Sequence, residues 1–166
     1  MTSSTNMIMV DIINFMTANA MNQIPIGEAL HRLLHAYRRA MRQSYQDAGI
    51  ALAVSHIRSL KVIHHHQQLP EEPCTAQVIA TSLERDKAQI ARVVRDLLED
   101  NLIEKHHHPS DRRSQILQLT EKGEATLIHI GEAERQASLR MARGLNEDEM
   151  EMFVRLAGAM TDNLKP

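Results

Sequence analysis

At 166 residues the chain suits one domain, or one small domain carrying a dimerisation extension. Hydrophobic residues reach 43% but aromatics only 2%, with no Trp, so Leu, Ile, Val, Ala and ten Met must fill the interior, which favours packed helices over a β-sandwich. A formal charge of −2 excludes a protein that coats polyanions by bulk attraction, and the one cysteine, Cys74, excludes an internal disulfide and fits a reduced, cytoplasmic setting.

Residues 1–25 read as a partly ordered N-terminal arm. Their apolar stretch, 7–16, is too short to cross a bilayer, lacks a basic leader and contains Asp11, so neither a membrane partner nor a signal peptide is expected. From Ile26 to Ala48 the spacing of Ile26, Leu30, Leu33, Leu34, Tyr37, Met41 and Tyr45 predicts a helix, closed by Gly49. A second helix is predicted from Leu52 to about His66, burying Leu52, Ile57, Leu60 and Ile63. The loop Leu69 to Pro73 follows, marked by its two prolines. Thr75 is placed to cap a short third helix, Ala76 to about Ser82. A fourth runs from Lys87 to about Asp100, with Asp86 and Gln89 at capping-box spacing. Its buried stripe is Ile90, Val93, Val94, Leu97 and Leu98, which leaves Lys87, Gln89, Arg92 and Arg95 outside.

Leu102–Lys105 and Gln115–Leu119 then alternate as two strands around Pro109, Ser110 and Asp111. A long helix over about Glu121 to Arg143, ended by Gly144, precedes a last one opened by an Asn146/Glu149 capping box and carrying Met150, Phe153, Val154, Ala157 and Met160. The expected fold is mainly α with a small two- or three-stranded β-wing. Residues 51–120 form a winged helix-turn-helix, and 26–50 together with 121–166 form a helical dimerisation domain.

Such an order places the start of the fourth helix in a DNA major groove, which is about 12 Å wide and admits a helix. Gln89 suits paired bonds to adenine, Arg92 to guanine, and Lys87 a phosphate or a base. The helix start also turns its amide dipoles towards phosphate. Residues 85–123 are mildly basic and 124–166 acidic, so contact with DNA rests on a few placed cations. Two adjacent arginines at a hairpin tip, Arg112 and Arg113, help no core and suit a narrow, electronegative minor groove. Asp111 is placed to brace one of them.

The run Asp111-x-Arg113, then Leu117-x-Leu119-Thr120-x-Lys122-Gly123, resembles the wing signature of the MarR family of bacterial transcriptional regulators. Leu97-x-x-x-Asn101-Leu102-Ile103 is similar to the family's exit from the recognition helix, with Asn101 where Gly is common. Leu52 to Leu60 is a looser match to the start of the family's second helix. The resemblance implies a homodimer whose terminal helices intertwine and whose two winged domains straddle a palindromic site on double-stranded DNA. It implies repression, with release by a small-molecule effector, an oxidant or a metal. Carried onto this chain, Asp111, Arg112 and Arg113 are wing residues and Lys87, Gln89 and Arg92 groove readers. An effector pocket would lie between the dimerisation helices and the winged domain, with His35, Tyr37, His56 and Arg58 as its candidates. Core packing is the plainer role for Tyr37.

The two His triplets, 64–66 and 106–108, the pair His31/His35 and the pair His129/Glu132 raise metal binding, but adjacent histidines point in divergent directions and make poor ligand sets. Helix capping or solvation is the expectation, with a metal- or pH-responsive regulator as the alternative. Cys74, beside a helix start that would lower its pKa, reads as an incidental thiol. No cofactor or metal is called for. An enzyme is not expected, because no Gly-rich phosphate loop, nucleophile elbow or His-Glu-x-x-His is present. A winged helix used only for protein contacts is the other alternative, disfavoured by the arginine pair.

Overall fold

The computed structural model describes residues 26–69, 72–107 and 115–165. The N-terminal arm, His108 and the wing tip with Asp111, Arg112 and Arg113 lie outside the described residues. Six helices and two strands follow in order: α1 (Ile26–Asp47), α2 (Val54–Gln67), α3 (Ala76–Ser82), α4 (Lys87–Glu99), β1 (Ile103–His107), β2 (Gln115–Leu119), α5 (Glu121–Met141) and α6 (Glu147–Asn163). The chain divides into two units within α1, one reaching Arg39 and the other starting at Ala40. Among the described residues no helix is long and apolar enough to cross a membrane.

Local chemistry fixes most element ends. Thr75 Oγ1 accepts from Val78 N at 3.3 Å to start α3, and Thr120 Oγ1 accepts from Gly123 N at 3.1 Å to start α5. Asn146 and Glu149 make the full reciprocal box that opens α6, each bond at 2.9 Å. Gly49 (φ 68°) and Gly144 (φ 86°) turn the chain away from α1 and α5 through the left-handed region. The second helix starts at Val54, two residues later than its periodicity suggests, and its N-cap residue, Ala53, offers no side-chain cap.

The core of the second unit joins α2, α3, α4, both strands and α5. Leu60, Ile63, Ile79, Leu97 and Ile130 are fully enclosed there, and burying such a side chain is worth about 1.5–3 kcal/mol. Leu102, Ile103, Leu117 and Leu119 close the wing's inner end onto that core. The strands pair antiparallel with Ile103 opposite Leu119 and His107 opposite Gln115. The wing is two-stranded. Where a third strand would pair, Leu117 N donates to the Cys74 carbonyl at 2.8 Å, and Leu119 N donates to Gln67 Oε1 at 3.0 Å. Those two bonds satisfy part of a strand edge that would otherwise stand open.

Two apolar rows predicted from periodicity are not internal. In the first unit Ile26, Leu30, Leu33, Leu34 and Tyr37 are all exposed, Tyr37 at 40%, so Tyr37 is not enclosed in a core among the described residues. In the second unit α6 buries none of its residues, and Phe153 and Val154 stand open. The helical spacing is present, but these faces meet nothing within their own unit that encloses them.

Candidate nucleic-acid interface

Helices α3 and α4 are joined by a tight turn in which Leu83 N bonds to Ile79 O at 3.0 Å and Arg85 N to Ala80 O at 2.9 Å. The turn needs one residue in the left-handed region, and with no glycine available Glu84 occupies it at φ 51°. Past the turn, Ile90, Val93, Val94 and Leu97 bury the inner stripe of α4 as the spacing predicts. That fixes the helix's rotation and leaves Lys87, Gln89, Arg92 and Arg95 exposed on the other side. A second tie holds α4 to α2: His56 Nε2 and Asp96 Oδ2 are 3.2 Å apart.

Two of the amides at the start of α4 are already taken. Asp86 Oδ1 already accepts from Ala88 N at 2.7 Å and Gln89 N at 3.4 Å, so the protein's own carboxylate occupies the place an external anion would take. Only half of a capping box is formed, since Gln89 keeps its side chain outside the cap. What α4 presents is therefore side chains, and three of the four are cations.

Sorting the cations of residues 54–122 by partner sharpens the picture. Lys61 is engaged with Glu134 on α5 at 2.5 and 2.6 Å, and Lys122 donates to the Asp100 carbonyl at 2.6 Å. Arg58, Arg85, Lys87, Arg92, Arg95 and Lys105 have no carboxylate or hydrogen-bond partner among the described residues. Five of these six lie on α4, on the turn before it, or on the first turns of α2 (Arg58), and the last is on β1. An unpaired cation stays hydrated and available, whereas a paired one is held to the protein. Arg85 carries no periodicity or motif of its own, and its only sequence signal is its place just before the Asp86 cap.

The Thr120-x-Lys122-Gly123 run performs a structural task. Asn101, in the left-handed region at φ 56°, ends the exit from α4. Its carbonyl accepts from Thr120 Oγ1 at 2.8 Å, Thr120 N bonds to Leu102 O at 3.2 Å, and Lys122 bonds to the Asp100 carbonyl. At Gly123 a Cβ would lie 2.0 Å from the Leu102 carbonyl oxygen. The run thus knots the end of α4 to the start of α5 and sets the base from which the wing projects.

The effector candidates are divided between the two units, His35 and Tyr37 in the first, His56 and Arg58 in the second. His35 lies in the first unit, its ring 5.2 Å from that of His31, and Tyr37 is exposed on the same stretch of α1. His56 is tied to Asp96, with its Nδ1 buried and without a partner among the described residues. Arg58 instead lines a cleft with Ser55, Arg85 and Gln89. Of the histidine pairs, His129 Nε2 meets the Ala48 carbonyl at 2.8 Å, while Glu132 binds Arg135 and Gln136. Those bonds, Arg135 first, hold the Glu132 carboxyl down at about 2. Among the described residues no three His, Cys, Asp or Glu side chains gather as a metal-holding group. The helix start does not lower the pKa of Cys74. The thiol is 2% exposed, and burial pushes it up to about 12.

Comparison with known proteins agrees with this geometry. The model of the MarR family matches residues 56–115, from the first turn of α2 to the first residue of β2. A solved structure described as MarR is 26% identical, with a TM-score of 0.64, covering 84% of this chain and 97% of that one. BpsR of Bordetella bronchiseptica, solved to explain regulation of its DNA binding by 6-hydroxynicotinic acid, is 22% identical with a TM-score of 0.66, covering 85% and 96%. A mutant of S. aureus MepR bound to an oligodeoxyribonucleotide is 17% identical with a TM-score of 0.59, covering 86% and 100%. The family's regulators are non-enzymatic. With its capped α4 and its two-stranded wing, the segment 56–115 matches the model of the MarR family, and the chain shares the winged helix-turn-helix fold of a solved MarR structure.

Proposed function

We propose that the chain is a repressor that binds a palindromic operator as a homodimer and is released by a small-molecule effector. The observation that carries the reading is the outer face of α4, where Lys87, Gln89 and Arg92 stand exposed and the two cations have no protein partner among the described residues. In this reading Gln89 and Arg92 take base edges in the major groove and Lys87 a phosphate. Arg112 and Arg113 enter the adjacent minor groove, with Asp111 orienting one of them. The exposed apolar rows of α1 and α6 support a second copy as the covering partner, and its two-fold axis would set two α4 helices about one DNA turn apart.

BpsR and the MepR mutant bear on the reading as proteins whose reported structures concern 6-hydroxynicotinic acid and bound DNA. For this chain, effector contact is proposed for His35, Tyr37, His56 and Arg58.

Selection of bound sequences from random duplex DNA tests the proposal. An inverted repeat with half-sites about 10 base pairs apart is the expected result, and recovery of no sequence preference would sink it. Arg112→Ala and Arg113→Ala should each weaken operator binding at fixed salt without dissociating the dimer. Unchanged affinity in both would remove the wing from the mechanism.

A further inference from the structure

A cleft of about 270 Å³ separates the start of α2 from the turn and first half of α4. Its apolar floor comes from Leu83, Ile90 and Val93, and its rim from Ser55, Arg58, Arg85 and Gln89. Arg58 and Arg85 approach it from different elements, one on α2 and one on the turn before α4. Neither has a carboxylate partner among the described residues, although Asp86 is next in sequence to Arg85. Asp86 is committed to the α4 amides. Two like charges on one small cleft without a counterion gain nothing electrostatically from each other. They are suited to a group that brings negative charge from outside, and a phosphate takes guanidinium groups in a planar, forked arrangement.

We propose that Arg58 and Arg85 form a clamp for one phosphodiester of the DNA backbone, beside the point where Gln89 enters the groove. The inference deepens the DNA-binding reading and rests on it. It extends the DNA-facing surface beyond α4 and the wing to the start of α2. It also gives Arg58, one of the effector candidates, a phosphate as its ligand on DNA. The clamp positions α4 and carries no sequence information, because phosphates are the same at every base pair. Its location matters for register: a phosphate held next to Gln89 fixes how far along the groove that amide reaches.

The test is Arg58→Gln, Arg85→Gln and the double variant in the full-length chain. Anisotropy with a labelled operator and a scrambled duplex is followed from about 50 to 300 mM salt, a range over which released counterions dominate affinity. Each exposed arginine should be removable without change in the thermal midpoint. Each single variant is expected to weaken both duplexes by the same factor, roughly fivefold near 150 mM salt, and to lower the steepness of the log–log salt plot by about one. Arg135→Gln, which removes an equal charge from an exposed pair on α5, should leave the slope at the wild-type value. Wild-type slope in both cleft variants overturns the clamp. So does loss confined to the operator, which would make these residues base readers, or intact DNA binding with altered response to added benzoate, which would make the cleft an effector site. Failure of the wild-type protein to bind either duplex would instead remove the underlying DNA-binding reading, and the clamp with it.

Discussion

Gly123 shows how much of the domain's geometry can hang on one missing atom. A methyl group there would stand 2.0 Å from the Leu102 carbonyl oxygen, a backbone atom that cannot swing aside. The same carbonyl already accepts from Thr120 N. Gly123→Ala should therefore cost at least about 3 kcal/mol, the upper range of overpacking, read as a lower urea midpoint at unchanged m-value. An unchanged midpoint would mean that the α4–α5 knot has slack. Cys74 is the opposite case, a side chain whose burial matters more than its chemistry. With its thiol pushed up to about 12 in the fold, the folded state keeps its proton through the range where the unfolded chain, with a thiol near 9, loses it. Above pH 9 the unfolded state therefore binds fewer protons, and stability must fall as pH rises from about 9 to 12, by up to about 1.4 kcal/mol per pH unit. The wild-type chain should lose more stability than Cys74→Ala over this interval, and equal slopes would contradict the burial. For the same reason a maleimide should label Cys74 slowly in the native protein at pH 8 and fast in urea.

Helix α4 was legible because two independent signals agree on it. Ile90, Val93, Val94 and Leu97 recur at three- and four-residue spacing, and Asp86 stands where a cap belongs; the fold uses both. The turn before it was less legible. Its geometry demands a left-handed residue that the sequence does not supply as glycine, and the same holds for the exit, where Asn101 takes the strained position while Thr120 holds its carbonyl. Packing of α3 on α4 and the knot to α5 impose those dihedrals; Asn101, standing where Gly is common, hints at the exit, but no local pattern announces Glu84. Glu84 has no side-chain partner among the described residues, and the left-handed region costs a non-glycine about 1–2 kcal/mol against the roughly 0.5–1 kcal/mol that glycine loses in chain entropy. Glu84→Gly should thus raise the unfolding midpoint by about 0.5–1 kcal/mol in stability. A drop would show that the Glu84 side chain contributes something the fold does not display. The outer face of α4 has a different readout. Gln89→Ala or Arg92→Ala should erase about 1–3 kcal/mol of discrimination between operator and scrambled duplex while leaving the helix intact, because neither side chain is buried. Retained discrimination in both variants would move base reading away from this helix.

A chain with a well-filled winged domain and uncovered helices before and after it in sequence is only partly accounted for as a monomer. The second unit encloses its core around Leu60, Ile63, Leu97 and Ile130, yet α6 buries nothing over seventeen residues, with Phe153 at 44% and Val154 at 66% exposure. The first unit's α1 stretch leaves Leu30 at 59% and Leu33 at 36%. Periodicity could place these apolar rows on helices but not say what they face, because the same spacing serves an internal core and an interface alike. A helix that encloses no face of its own relies mainly on its backbone hydrogen bonds, and one of this length is marginal in water on those alone. The capping box at Asn146 helps, at about 1 kcal/mol, but does not replace a packed face. The proposed second copy supplies one, and it couples folding to protein concentration. The thermal midpoint should then rise with concentration. Phe153→Glu, which would bring a carboxylate into the covered face, should raise the dimer dissociation constant at least about a hundredfold, equivalent to roughly 3 kcal/mol. Sedimentation at micromolar concentration reads this directly: wild type as a dimer, the variant shifted to monomer with reduced helix content and loss of operator binding. A wild-type chain that sedimented as a monomer, kept its full helix content and melted at the same temperature over a hundredfold dilution would show that α6 stands without a partner, and the two-fold arrangement on DNA would go with it.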